Sequence, residues 1–108
     1  MLKKSERLDR ASFTNYFKKG KKINGAYTTI VFHPNPVFLA SVVVGKKVSK
    51  KAVTRNSIRR RLYGIIESER QDKKVTGAYI IIAKPEISKL TKKAFNTTLL
   101  AEVGRVLK

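Results

Sequence analysis

The chain has 108 residues, 42% of them hydrophobic, no cysteine, and a formal charge of +18 from 25 Lys and Arg against 7 Asp and Glu. That length and apolar fraction suit one domain with a modest core and exclude a disordered basic tail. Disulfides and thiolate metal sites are also excluded, and the charge excess points to a polyanionic partner, nucleic acid before anionic membrane.

The opening MLKKSERLDR lacks the apolar segment of a signal peptide, and the longest apolar runs, VFLASVVV and AYIIIA, are too short to span a bilayer. The expectation is a cytoplasmic protein with no membrane association. Asp9 is the predicted N-cap of a helix over RASFTNYFKK, and Gly20 its stop. Phe13 and Phe17 fall one turn apart with Tyr16 beside them, and Lys18 and Lys19 suit the negative end of the helix dipole. AYTTIVFH is rich in β-branched and aromatic residues and reads as a strand whose register the sequence leaves open. HPNP is a turn. VFLASVVVG follows as a second strand, apolar enough to be central, and pairs antiparallel with the first across that turn. KKVSK either extends it or forms a further short strand.

From about Ala52 to Arg70 a helix is predicted, with Ile58, Leu62, Ile65 and Ile66 as its apolar stripe. Arg55 and Arg59 edge the stripe, Asn56, Arg60 and Tyr63 continue round that flank, and Arg61 points to the other flank with Ser57. Gly64 weakens this helix by roughly 1 kcal/mol relative to Ala. QDKKVTG is a loop and AYIIIAK a strand ended by Pro85. Ser88 or Thr91 caps a last helix, KKAFNTTLLAEVGRVL, which turns Ala94, Phe95, Leu99, Val103 and either Val106 or Leu107 inward. The order α-β-β-(β)-α-β-α predicts an α+β fold over residues 1–108. It is a two-layer sandwich on a mixed sheet of about four strands, with a parallel crossover through the second helix.

Chemistry narrows the function. A nuclease acting alone needs a metal cluster or an acid–base pair. The one histidine, His33, sits in a turn, and Glu67 and Glu69 diverge on their helix. GKK at Gly45 lacks the rest of a phosphate-binding loop. No catalytic or metal-ligating residue is therefore assigned, and the chain is read as binding a polyanion. Thirteen Lys and Arg and no acid lie between Asp9 and Glu67, and eight of them fall within VGKKVSKKAVTRNSIRRRL. This predicts a continuous anion-binding surface, with Lys46, Lys47, Lys50, Lys51, Arg55, Asn56, Arg59, Arg60 and Arg61 as the candidate nucleic-acid contacts. Phe13 and Phe17 either pack onto the sheet or stack unpaired bases. The flanking strands argue against a DNA-reading helix-turn-helix, although a duplex-DNA binder is a third reading.

KKVSKKAVTRNSIRRRL resembles the signature of the bacterial ribonuclease P protein family. Its Lys pair is Lys46-Lys47, its Arg-Asn start is Arg55-Asn56, and Arg59 and Arg60 fill the basic places three and four after the Asn. Ser57 and Tyr63 stand where that family usually has basic residues. RLDRASFTNYFKKGKK and AYIIIAKPEISKLTKKAF are similar to the family's first segment and last strand–turn–helix, so the resemblance spans nearly the whole chain.

The resemblance implies a ribosomal-protein-like fold with a left-handed crossover, where the general rule gives a right-handed one. It implies an accessory role in an endoribonuclease whose catalyst is an RNA with Mg²⁺. The expected partners are ribonuclease P RNA and precursor tRNA, with no obligatory protein partner. Phe13, Phe17 and a third residue, Phe32, would line a cleft for the 5′ leader, and Lys46, Lys47, Arg55, Asn56, Arg59 and Arg60 would meet RNA phosphates. Composition and fold would serve a small ribosomal or ribosome-assembly protein equally well, which is the alternative reading.

Overall fold

The structure is a computed structural model describing residues 7–8, 10–72 and 75–107. Helix α1 spans Arg10–Lys19; the cap expected at Asp9 lies outside the described residues. The helix stops because the chain turns hard against the sheet. Gly20 N donates to Tyr16 O at 2.7 Å, and a Cβ on Gly20 would sit 2.5 Å from Val31 Cγ1. Strands β1 (Lys21–Asn24), β2 (Thr28–His33) and β3 (Phe38–Val43) follow, then helix α2 (Ala52–Asp72) and strand β4 (Gly77–Ala83). A single 3₁₀ turn, Pro85–Lys89, leads to helix α3 (Lys92–Gly104). Thr91 caps α3 by accepting from Ala94 N at 3.2 Å, which settles the choice between Ser88 and Thr91.

The four strands form one mixed sheet in the order β1-β2-β4-β3. β4 pairs antiparallel with β2 and parallel with β3, so α2 is the crossover helix. The α+β architecture, the element order and the single parallel crossover stand as the sequence implied. Three details differ. The fourth strand is β1, from KKIN, whereas Lys46–Val48 form a turn. β2 and β3 do not pair with each other, because β4 lies between them. β3 is therefore an edge strand despite its apolar sequence. Its outer edge is covered: Leu8 N donates to Ala40 O at 3.2 Å, and Val42 N donates to the Tyr63 hydroxyl at 3.3 Å.

The core lies on one face of the sheet. Ile30, Ala40, Val42, Tyr79 and Ile81 meet Ile58, Leu62 and Ile66 of α2 and Phe95, Leu99 and Val103 of α3. β4 is buried along nearly its whole length, as its uninterrupted apolar run implied. It enters through Gly77, whose φ of +109° favours glycine; a Cβ there would also press on the Phe32 ring at 2.7 Å. Glu102 of α3 ties the β1–β2 turn to the core by accepting from Tyr27 N at 3.1 Å and from the buried Thr28 hydroxyl at 2.6 Å.

The opposite face carries α1, which packs on β2 and β4. Val31, Ala78 and Ile80 are buried beneath it, while Thr29, Leu39, Ser41, Val43 and Ile82 of the same face stay half-exposed. No helix among the described residues is long and apolar enough to cross a membrane.

Candidate nucleic-acid interface

The basic stretch becomes a turn followed by a helix start. Val48 is buried and anchors the turn, which closes through Val48 N to Gly45 O at 3.1 Å. That anchor leaves Lys46, Lys47, Lys50 and Lys51 exposed around it. Ser49 Oγ accepts from Lys51 N at 3.2 Å just before α2 begins. The positive end of the α2 dipole thus adds to four lysines, with no acid in its first turn.

Arg55 has a structural use here. Its Nη1 donates to Ser49 O at 3.0 Å and Lys50 O at 2.9 Å, which pins the lysine turn to the helix. One turn on, Arg59 Nη1 donates to Asn56 Oδ1 at 2.9 Å. Asn56 is exposed and Arg59 half-exposed, and the bond fixes their head groups relative to each other. Arg60 is exposed on the same flank. Eight of the nine candidate contacts therefore share one continuous surface running from the turn along α2.

Arg61 is the exception. Its guanidinium lies 5.5 Å from the centre of the Phe95 ring on α3, on the flank it was expected to share with Ser57. Tyr63 is a correction. The helical wheel put it on the polar flank with Asn56 and Arg60, but it is 7% exposed, covers the β3 edge by accepting from Val42 N at its hydroxyl, and has Arg7 5.8 Å above its ring. The wheel misplaces it because a tyrosine is long enough to reach sideways from the stripe to a strand edge.

On the α1 side, Phe13 and Phe17 stack with centroids 6.0 Å apart and 15° between their planes, and both remain half-exposed. Tyr16 of the same helix face packs on His33 at 5.0 Å and donates to Asn35 Oδ1 at 3.3 Å. The Phe pair keeps its rings partly in water, whereas Tyr16 does the anchoring. Lys22 Nζ sits 5.0 Å from the Phe17 ring centre, a cation beside the aromatic pair that no sequence motif marks. The only signal for it was charge, since KKIN is too short to show a strand period.

Phe32 does not join this group. Its partners in the ladder put it on the same face as Ile30 and Tyr79, and its ring packs 5.1 Å from Tyr79 on the core side. Phe32 is thus separated from Phe13 and Phe17 by the thickness of the sheet. The half-exposed shelf of Thr29, Leu39, Ser41, Val43 and Ile82 lies on the α1 face instead, and Val43 is three residues from Lys46. No group of three or more His, Cys, Asp or Glu among the described residues could hold a metal ion.

A basic ridge beside a partly open aromatic and apolar face is an arrangement suited to a polyanion, carried on an α+β module. The chain belongs to the ribonuclease P family, whose model matches residues 2–107. It is 38% identical over 73 residues to a ribonuclease P protein component of Synechococcus sp. (strain JA-2-3B'a(2-13)), covering 61% of this chain and 55% of that protein. It is 34% identical over 91 residues to the ribonuclease P protein component of Thermus brockianus, covering 84% of this chain and 51% of that one. The aligned region therefore spans about half the length of these curated relatives. Among solved structures, the RNase P protein of Staphylococcus aureus superposes with a TM-score of 0.81 at 21% identity, covering 97% of this chain and 100% of that one. That of Thermotoga maritima gives 0.79 at 24%, covering 95% and 99%. These two share the fold.

Proposed function

We propose that the chain is the protein subunit of ribonuclease P, an accessory to endonucleolytic removal of the 5′ leader from precursor tRNA. Its Lys46–Lys51 turn and the Arg55, Asn56, Arg59 and Arg60 flank of α2 bind the catalytic RNA. Phe13 and Phe17 hold the unpaired leader, with base stacking contributing about 1–3 kcal/mol per base. The observation that carries this reading is the family match over residues 2–107, which gives the exposed basic ridge its partner. In this reading the Mg²⁺ chemistry belongs to the RNA, as the family resemblance implies. A cytoplasmic location fits this role.

Within the ridge the work divides. Arg55 holds the lysine turn in shape, and the lysines and Arg60 supply mobile charge to phosphates. The Asn56–Arg59 pair presents a fixed donor and acceptor set able to meet a phosphate or a base edge.

The test is cleavage of precursor tRNA at low, near-physiological Mg²⁺ with protein alone, a bacterial ribonuclease P RNA alone, and both together. Cutting at the mature 5′ end by the combination alone supports the proposal. A protein that adds nothing to a functional RNA overturns it and favours the ribosomal alternative.

A further inference from the structure

A second surface lies on the other flank of α2, away from the Arg-Asn ridge. The N-terminal halves of α2 and α3 and the 3₁₀ turn between β4 and α3 enclose a groove of about 350 Å³, lined in part by Val53, Ser57, Leu90 and Phe95. Arg61 and Lys92 also line it, and no acid among the described residues does. Its volume falls near the lower end of the range for small-ligand sites, roughly 300–1,000 Å³. Val53 is 79% exposed beside it, an apolar side chain that the fold leaves in water. Ile58 and Ile87 are buried and form an apolar floor.

The groove thus combines an apolar and aromatic interior with a cationic rim and hydroxyls from Thr54, Ser57 and Ser88. Arg61 is held across Phe95 at 5.5 Å, so its planar head is already ordered rather than sweeping through solvent. A flat, partly apolar ring joined to an anion matches that arrangement. A duplex does not, because its bases are stacked away from the backbone. We infer that the α2–α3 groove binds one unpaired nucleotide of an RNA, with the base on the apolar floor and the phosphate between Arg61 and Lys92. The site is distinct from the Phe13–Phe17 surface, which lies across the sheet, and from the Arg-Asn flank, which faces away from α3. A chain carrying it can grip RNA on two sides of α2 at once, so that α2 lies along the RNA instead of touching it with one edge.

The experiment is an NMR titration of the isotopically labelled full chain with uridine 5′-monophosphate and, separately, with uridine. Methyl signals of Val53, Ile87 and Leu90 report on this groove, while aromatic signals of Phe13 and Phe17 report on the α1 side. The expected result is saturable shifts at the groove methyls with the monophosphate, weakened roughly tenfold by Arg61→Gln, the loss of one charge-assisted contact. Uridine, lacking the anion and so both cationic contacts, should bind at least as weakly as the monophosphate does to that variant. Ser57→Phe, which fills the groove from its lip, should abolish the shifts while a native spectrum persists elsewhere. Groove methyls that do not move, shifts that survive both substitutions, or equal binding of uridine and the monophosphate would overturn the inference. Because the two sets of reporters are separate, each of these results leaves the cleavage test of the main proposal independent.

Discussion

The two faces of the sheet are built to different standards. The face under α2 and α3 is sealed: Tyr79, Ile81, Leu62, Ile66, Leu99 and Val103 are all buried to within a few per cent of completely. The face under α1 is not: among the described residues one ten-residue helix covers its middle, and Val43, Ile82 and the Phe13–Phe17 pair are half in water. A chain of this size can fill one closed core, and extending α1 or adding a second helix would have closed the other. The open face costs hydrophobic stabilisation, about 25 cal/mol for each Å² of apolar surface left wet, and under the proposed function it is where bases of the leader would stack. The difference separates residues sealed into the core from residues whose apolar surface stays in water.

That contrast makes substitutions on the two faces separable. The largest expected effect is on the sealed face: Leu62→Ala, at a side chain with no exposure, should lower unfolding free energy by about 2–5 kcal/mol in a denaturant titration. Tyr63→Arg comes next. It removes the hydroxyl that covers Val42 N and buries a charge, so a loss of roughly 2–4 kcal/mol is expected by the same titration. A neutral outcome would return Tyr63 to the solvated flank. Arg60→Ala should leave the melting curve unchanged while reducing the slope of log affinity against log salt for ribonuclease P RNA by roughly 0.7–0.9. An unchanged slope would remove Arg60 from the interface. The smallest effect should come from Gly64→Ala. The added methyl meets nothing within 4 Å, so the helix should gain up to about 1 kcal/mol, read as a raised melting temperature.

The helices and β4 were legible because each repeats one signal several times: the Phe13–Phe17 spacing, the Ile58–Leu62–Ile65 stripe, the unbroken AYIIIA run. β1 was not, since four residues with a single apolar side chain, Ile23, carry no period. The edge position of β3 was hidden for a different reason. Apolar sequence reports burial, and β3 is buried in the core on one face and paired with β4 on one side, while its outer edge is covered by Tyr63 and Leu8 instead of a second strand. Phe32 shows how much rests on register. A slip of one residue moves a side chain to the opposite face, and the sequence AYTTIVFH is equally strand-like in either setting. The basic surface was legible as charge, but not its internal division. Only the structure shows that Arg55 is spent on Ser49 and Lys50 carbonyls and that Arg61 has turned to Phe95.

The most direct measurement is the affinity of the protein–RNA complex for precursor tRNA with and without its leader, comparing the unaltered chain with the double substitution Phe13→Ala and Phe17→Ala. The open-face account expects the leader-bearing ligand to lose tenfold or more, on the scale of about 1–3 kcal/mol per stacked base, and the leaderless ligand to change little, with the fold intact by circular dichroism. Equal losses for both ligands, or a loss that tracks unfolding, would show that the pair belongs to the core and that the α1 face is not where the leader is held.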